Sequence, residues 1–142
     1  MTPTELETYL HIHIPLSKAM GVTVLENGDR VVLHAPLEPN INHRGSAFGG
    51  SEASLALLAG WAWMRERVKG EVNLVVAGSR MTYSRPATSD FIAVCEGDGA
   101  EQIAEHMSRK GRARKTLTIV LYSNDREVAR MEGEFAAIAS LP

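Results

Sequence analysis

From residue 51 to residue 68 the chain reads SEASLALLAGWAWMRERV, without a proline, and its apolar positions fall on every face of a 3.6-residue period. Ala53, Leu55, Ala56, Leu57, Leu58, Ala59, Trp61, Ala62, Trp63 and Met64 leave no polar stripe to turn towards water. A helix of this kind must be surrounded by the rest of the chain. Its ends agree with the assignment: Glu52 lies in the first turn, Arg65 and Arg67 in the last, and Gly70 follows as a C-terminal cap. Eighteen residues at about 1.5 Å each span roughly 27 Å, the width of a small sheet. The longest strongly apolar stretch, residues 53–64, falls short of the roughly 20 residues that cross a bilayer, so a protein core is expected and no membrane partner.

The remaining segments supply the sheet. Residues 22–26 and 30–35 are rich in β-branched side chains and flank Asn27-Gly28-Asp29, whose tolerance of positive φ suits a hairpin. Residues 72–83, 91–96, 113–122 and 128–138 read as four more strands, with Asn124-Asp125 turning the last pair. Thr4 and Glu7 have capping-box spacing, which predicts a short helix from Glu5 that ends before Pro15. Residues 100–110 suggest a further short helix with Ile103 and Met107 on one side. About six strands around one helix leave edges and an outer face to be managed, and self-association into a dimer or tetramer is the expected remedy.

At 142 residues with 44% apolar content, one domain spanning 1–142 is expected. A net charge of -2 offers a polyanion no general attraction, and no helix-turn-helix or basic arm is present, so nucleic acid is not an expected partner. The lone Cys95 and the lack of a basic, apolar leader point to the cytoplasm. His11 and His13 alternate as on one side of a strand, but no third ligand follows at metal spacing, and no metal is expected.

The unusual chemistry is concentrated in residues 40–51. Pro36 and Pro39 end the second strand, and Asn40, Asn42 and Gly45 are turn formers. Gly49 and Gly50 allow close backbone approach where the helix begins, and the first N–H groups of a helix have no intrahelical partner. Such donors, in an apolar enclosure, suit a developing oxyanion.

NHRGSAFGG followed by this apolar helix, then MTYSRPATSDF, then ARKTLTIVLYSNDREVARMEGEF, resembles the hotdog thioesterase superfamily over about residues 16–138. Within it the chain is most similar to the thioesterase domain that some proteins append to a GNAT acetyltransferase. The resemblance implies an α+β hotdog fold, an antiparallel sheet of about six strands wrapped around one long central helix. It also implies a dimer with a site shared between protomers, and acyl-CoA or acyl-carrier-protein thioesters as substrates. Coenzyme A would enter as part of the substrate, with no other cofactor.

By the same resemblance Asn42 matches an assisting loop Asn, Gly49 and Gly50 match a Gly-Gly pair, and the Gly50 N–H becomes the oxyanion donor. Two positions depart from the pattern. Phe48 stands where phenylacetyl-CoA-type hydrolases have His, and Leu57 stands where they have the catalytic acid. Polar groups that could replace the acid are His43, Ser51, Glu52 and Asp90. Each has an ordinary alternative: solvation for His43, capping for Ser51, dipole compensation for Glu52 and a strand-edge charge for Asp90.

Catalysis is therefore assigned to Asn42, Gly50, Ser51 and Glu52. Substrate contact is assigned to His43, Phe48, Gly49, Arg80 and Arg85; Arg80 and Arg85, with Arg109, Lys110, Arg112, Arg114 and Lys115, offer charge to coenzyme A phosphates or form a solvated face. Trp61, Trp63, Met64 and Phe48 either line an apolar pocket or fill the core. The expected activity is hydrolysis of an acyl thioester by water. The alternatives are an acyl-thioester binding module without turnover and an enoyl-thioester hydratase or dehydratase.

Overall fold

Two T-x-x-E frames overlap at the start of the chain, Thr2–Glu5 and Thr4–Glu7, and Pro3 decides between them. Proline favours the first helical position. In the computed structural model, which describes residues 1–140, α1 runs Pro3–His13 and the capping box is Thr2 with Glu5, one frame earlier than the spacing of Thr4 and Glu7 suggests. His11 and His13 therefore lie on a helix, not a strand. The His11 Nε2 sits 2.8 Å from the Val22 carbonyl, and the His13 ring lies against Tyr9. A second short helix, α2, covers Pro15–Ala19.

The strands are β1 (Thr23–Asn27), β2 (Arg30–Ala35), β3 (Val72–Tyr83), β4 (Phe91–Glu96), β5 (Arg112–Ser123) and β6 (Arg126–Ala139). They form one antiparallel sheet in the order β1-β2-β4-β5-β6-β3. Asn124 and Asp125 turn β5 into β6 with φ of 53° and 58°, the left-handed pair that a two-residue hairpin demands. The β1–β2 hairpin also forms, but none of Asn27, Gly28 and Asp29 has positive φ, so its turn does not use the freedom that the sequence offered.

The long helix, α3, runs Gly49–Arg67, and α4 covers Ala100–Lys110 with Ile103 buried, as the sequence predicts. The chain closes α3 at Val68, and Gly70, at φ +79°, belongs to the following turn instead of capping the helix. Alternate residues of the strands face α3 with a period of two. Val31, Leu33 and Ala35 come from β2; Phe91, Ala93 and Cys95 from β4; Leu117, Ile119 and Leu121 from β5; Met131, Phe135 and Ala137 from β6. Two close approaches fit helix to sheet. A methyl group at Gly60 or Gly133 would run into the Phe135 ring, so both glycines make a hollow for it. The indole of Trp63 is buried, donates to the Asp29 carbonyl at 3.1 Å and carries the Arg67 guanidinium on its face at 4.2 Å.

Enclosure of α3 is incomplete. Ser54, Leu57 and Trp61 are only half-buried, on a stripe between the α1–α2 segment and the sheet edge β3. That edge is twelve residues long, with Val75 50% and Val76 41% exposed, while Cys95 is fully buried and its thiol is pushed up to about 12 by desolvation. No helix among the described residues is long and apolar enough to cross a membrane.

Candidate active site

The loop before α3 is held by its own amides. Asn40, 3% exposed, donates through Nδ2 to the carbonyls of Met20 and Pro36, both at 2.8 Å. Asn42 donates through Nδ2 to Ser46 Oγ at 3.0 Å and accepts at Oδ1 from the N–H groups of Arg44 (2.8 Å) and Ser46 (3.1 Å). Gly45 completes this tight loop at φ +81°, a conformation that a side chain would strain. Ala47 N–H then donates to Ala87 O and Phe48 N–H to Asn40 O, each at 2.8 Å, which fixes the direction in which the chain enters α3.

Phe48 is the N-cap residue and has no side chain able to cap. The Ser51 and Glu52 N–H groups both donate to its carbonyl, at 2.9 and 3.1 Å. The Gly49 and Gly50 N–H groups accordingly have no partner among the described residues. A Cβ at Gly50 would run into the Phe48 ring, so the exposed phenyl group packs against the helix start. From the end of β3 the Tyr83 phenol donates to the Gly49 carbonyl at 2.7 Å, tying the sheet to the first residue of the helix.

Glu52 is the charged group that this arrangement leaves without support. It is 3% exposed, its Oε1 has no hydrogen-bond partner, and no cation pairs with it among the described residues. Desolvation pushes its carboxyl up to about 7 from an ordinary value of 4.5. Side chains on a helix lean towards its N-terminus, so this carboxyl is carried towards the end where the free amides lie. It borders a cavity of about 370 Å³ together with Ser46, Gly49, Tyr83, Ser84 and Arg85. Burial and then the nearby Glu52 charge hold the Tyr83 phenol above its usual value.

Of the residues assigned from the sequence, this cavity brings together Gly49, Glu52 and Arg85. Gly50 and Phe48 stand at its helix terminus. Asn42 does not border the cavity itself; its amide is engaged with Ser46, which does. Ser51 occupies the third helical position, and the exposed His43 lies in the loop without bordering the cavity. Arg80 is opposite Glu132 and, one residue out of phase with Met81 and Tyr83, faces away from α3. Asp90 accepts from the Leu37 N–H at 3.0 Å and lies 3.3 Å from His34 Nε2, a local role at the β4 start. Leu57, at the position of the missing acid, lines the apolar groove on the half-open stripe.

Tyr83 and Ser46 were not singled out from the sequence. Tyr83 lies within the MTYSRP segment that carried the resemblance, but its use depends on β3 ending against α3, which is a tertiary fact. Tyr83→Phe is expected to lower stability by about 0.5–1.5 kcal/mol, measured by thermal denaturation, because the Gly49 carbonyl loses the side-chain donor that ties β3 to the helix start.

A sheet wrapped around one helix, with bare amides and a buried carboxyl where that helix begins, is the hotdog fold in a form suited to thioester chemistry. The chain belongs to the YiiD_C putative thioesterase family, whose pattern matches residues 3–139. A Chlorobaculum tepidum protein of unknown function superposes with a TM-score of 0.88 at 29% identity, covering 98% of each chain. A putative thioesterase of Shewanella oneidensis gives 0.84 at 24% identity over 96% of each chain. A Pseudomonas aeruginosa protein described as a probable thioesterase gives 0.84 at 23% identity over 97% of each. Membership of that family supports thioester hydrolysis as the general activity.

Proposed function

We propose that the protein hydrolyses an acyl-CoA or acyl-carrier-protein thioester with Glu52 as its general base. The observation that carries this reading is the unpartnered, buried Glu52 carboxyl, pushed up to about 7, in the same cavity as the helix start. The thioester carbonyl oxygen accepts from the free Gly49 and Gly50 N–H groups. Glu52 takes a proton from water as the water oxygen attacks the carbonyl carbon. Collapse of the tetrahedral intermediate breaks the C–S bond, and the proton held by Glu52 passes to the departing sulfur. A base near neutrality both removes and returns that proton with little driving-force penalty.

Glu52 thus substitutes for the acid absent at Leu57. Asn42 acts as a positioning residue through the loop, and Arg85 at the cavity rim offers a positive charge to the phosphates of the carrier. No histidine borders the cavity, which disfavours the paired His and acid of a hydratase. Exposed Val75 and Val76 on the β3 edge favour a second copy alongside, giving a dimer.

A panel of short, long and aromatic acyl-CoA esters, with free-thiol release as the readout, tests the activity. Turnover of at least one member is expected. Saturable binding without thiol release across the panel would make the protein a binding module instead.

A further inference from the structure

The Gly49 carbonyl and the Gly50 N–H belong to one peptide unit, and a trans peptide points them in opposite directions. The Tyr83 phenol donates to that carbonyl at 2.7 Å, while the N–H has no partner among the described residues. The helix does not need this bond for its own sake. A carbonyl at the first helical position already accepts from the N–H four residues on, so Tyr83 supplies a second donor. Nor does burial hold the ring there, since Tyr83 is 49% exposed. Two other features do. A Cβ at Gly49 would stand 3.1 Å from the phenol oxygen and 3.2 Å from the ring carbon that bears it, so glycine gives the phenol its room. Just past Tyr83, the Ser84 and Arg85 N–H groups both donate to the carbonyl of the buried Val128, at 2.9 and 3.3 Å, which fixes the strand end that carries the ring.

Gly49 and Tyr83 border the same cavity as Glu52, which is 3% exposed with its Oε1 unpartnered. A donor on a peptide oxygen polarises the whole unit and makes its N–H a stronger donor in turn. We propose that Tyr83 is a positioning residue for the thioester carbonyl: it fixes the Gly49–Gly50 peptide and strengthens the Gly50 N–H that receives the carbonyl oxygen. This role rests on the hydrolase reading above. An oxyanion donor is typically worth about 10²- to 10³-fold in rate, and strengthening of about 10–30% per bond then corresponds to about two- to eightfold.

The test uses the full chain. In Tyr83→Phe, kcat for the best acyl-CoA ester should fall about two- to eightfold with KM changed by less than about twofold. The rise in rate through about pH 7 that Glu52 sets should persist. Gly49→Ala, which displaces the phenol but keeps every N–H, should cause a comparable loss, and combining it with Tyr83→Phe should add little, because both changes break one contact. The polarisation itself is read by isotope-edited infrared spectroscopy on ketone analogues of butyryl-, decanoyl- and phenylacetyl-CoA, in which a methylene replaces the sulfur and nothing can be cleaved. The carbonyl stretch of the bound ketone should lie below its value in water. The displacement should shrink in Tyr83→Phe and grow when 3-fluorotyrosine, a stronger donor, replaces Tyr83.

A bound-ketone stretch that is the same in wild type and Tyr83→Phe overturns the proposal, as does a variant that changes KM and leaves kcat intact. A purely structural tie predicts one or the other. A stretch that depends on Tyr83 with no thiol release from any ester supports the positioning role and rejects hydrolysis. Thiol release with kcat and stretch both indifferent to Tyr83 does the reverse, so the two readings fail separately.

Discussion

Glu52→Gln should lower kcat for thioester hydrolysis by about 10²- to 10⁴-fold while making the protein more stable above neutral pH. The rate loss follows from removing the base. In the wild type, kcat/KM should climb through about pH 7 as the Glu52 carboxyl ionises and then level, whereas residual activity in the variant should lack that rise. The gain in stability follows from the same burial. Below about pH 4.5 the carboxyl is neutral in folded and unfolded chains alike, so Glu and Gln forms have comparable electrostatics. As pH rises, the unfolded wild type ionises first, and folded stability falls until the folded carboxyl ionises too, near pH 7. The full deficit, about 3 kcal/mol, is present above that pH. For a domain of this size it corresponds to a Tm higher by about 10 °C in the variant at pH 8. A variant that is less stable than wild type at pH 8 would mean that Glu52 has a buried partner, and its assignment as base would lose its physical basis.

The second large effect concerns the fit of helix to sheet. Phe135→Ala should cost about 3–5 kcal/mol in chemical denaturation, since it empties a fully buried ring site facing α3. Gly60→Ala is the more discriminating change. Alanine is favoured over glycine within a helix by about 1 kcal/mol, yet here its methyl would meet the Phe135 ring. Overpacking of about 1–3 kcal/mol should outweigh the propensity gain and leave the variant less stable. In a Phe135→Leu background the same Gly60→Ala change should cost less, because the two sites share one contact. Additive losses in the double variant would place the strain elsewhere.

The strands were legible because β-branched residues and turn formers mark them locally, and α3 because its apolar positions leave no solvent face. The structure differs where two local signals were equivalent or where the third dimension decides. Thr2–Glu5 and Thr4–Glu7 are the same pattern, and only Pro3 at the first helical position separates them. Glu52 could be read from the sequence as a first-turn acid, but an acid that compensates the helix dipole in solvent and one buried without a partner look alike in one dimension. The roles of Tyr83 and Ser46 depend on which strand end meets which helix turn. Periodicity carries no information about that.

Cys95 has a practical consequence for the thiol-release assay. It is the only cysteine in the chain, it is fully shielded, and its thiol is pushed up to about 12. At pH 8 the thiol therefore stays protonated, and its burial excludes a reagent as well. A chromogenic disulfide reagent added to the native protein should therefore stay colourless, and any signal seen with an ester present reports liberated coenzyme A alone.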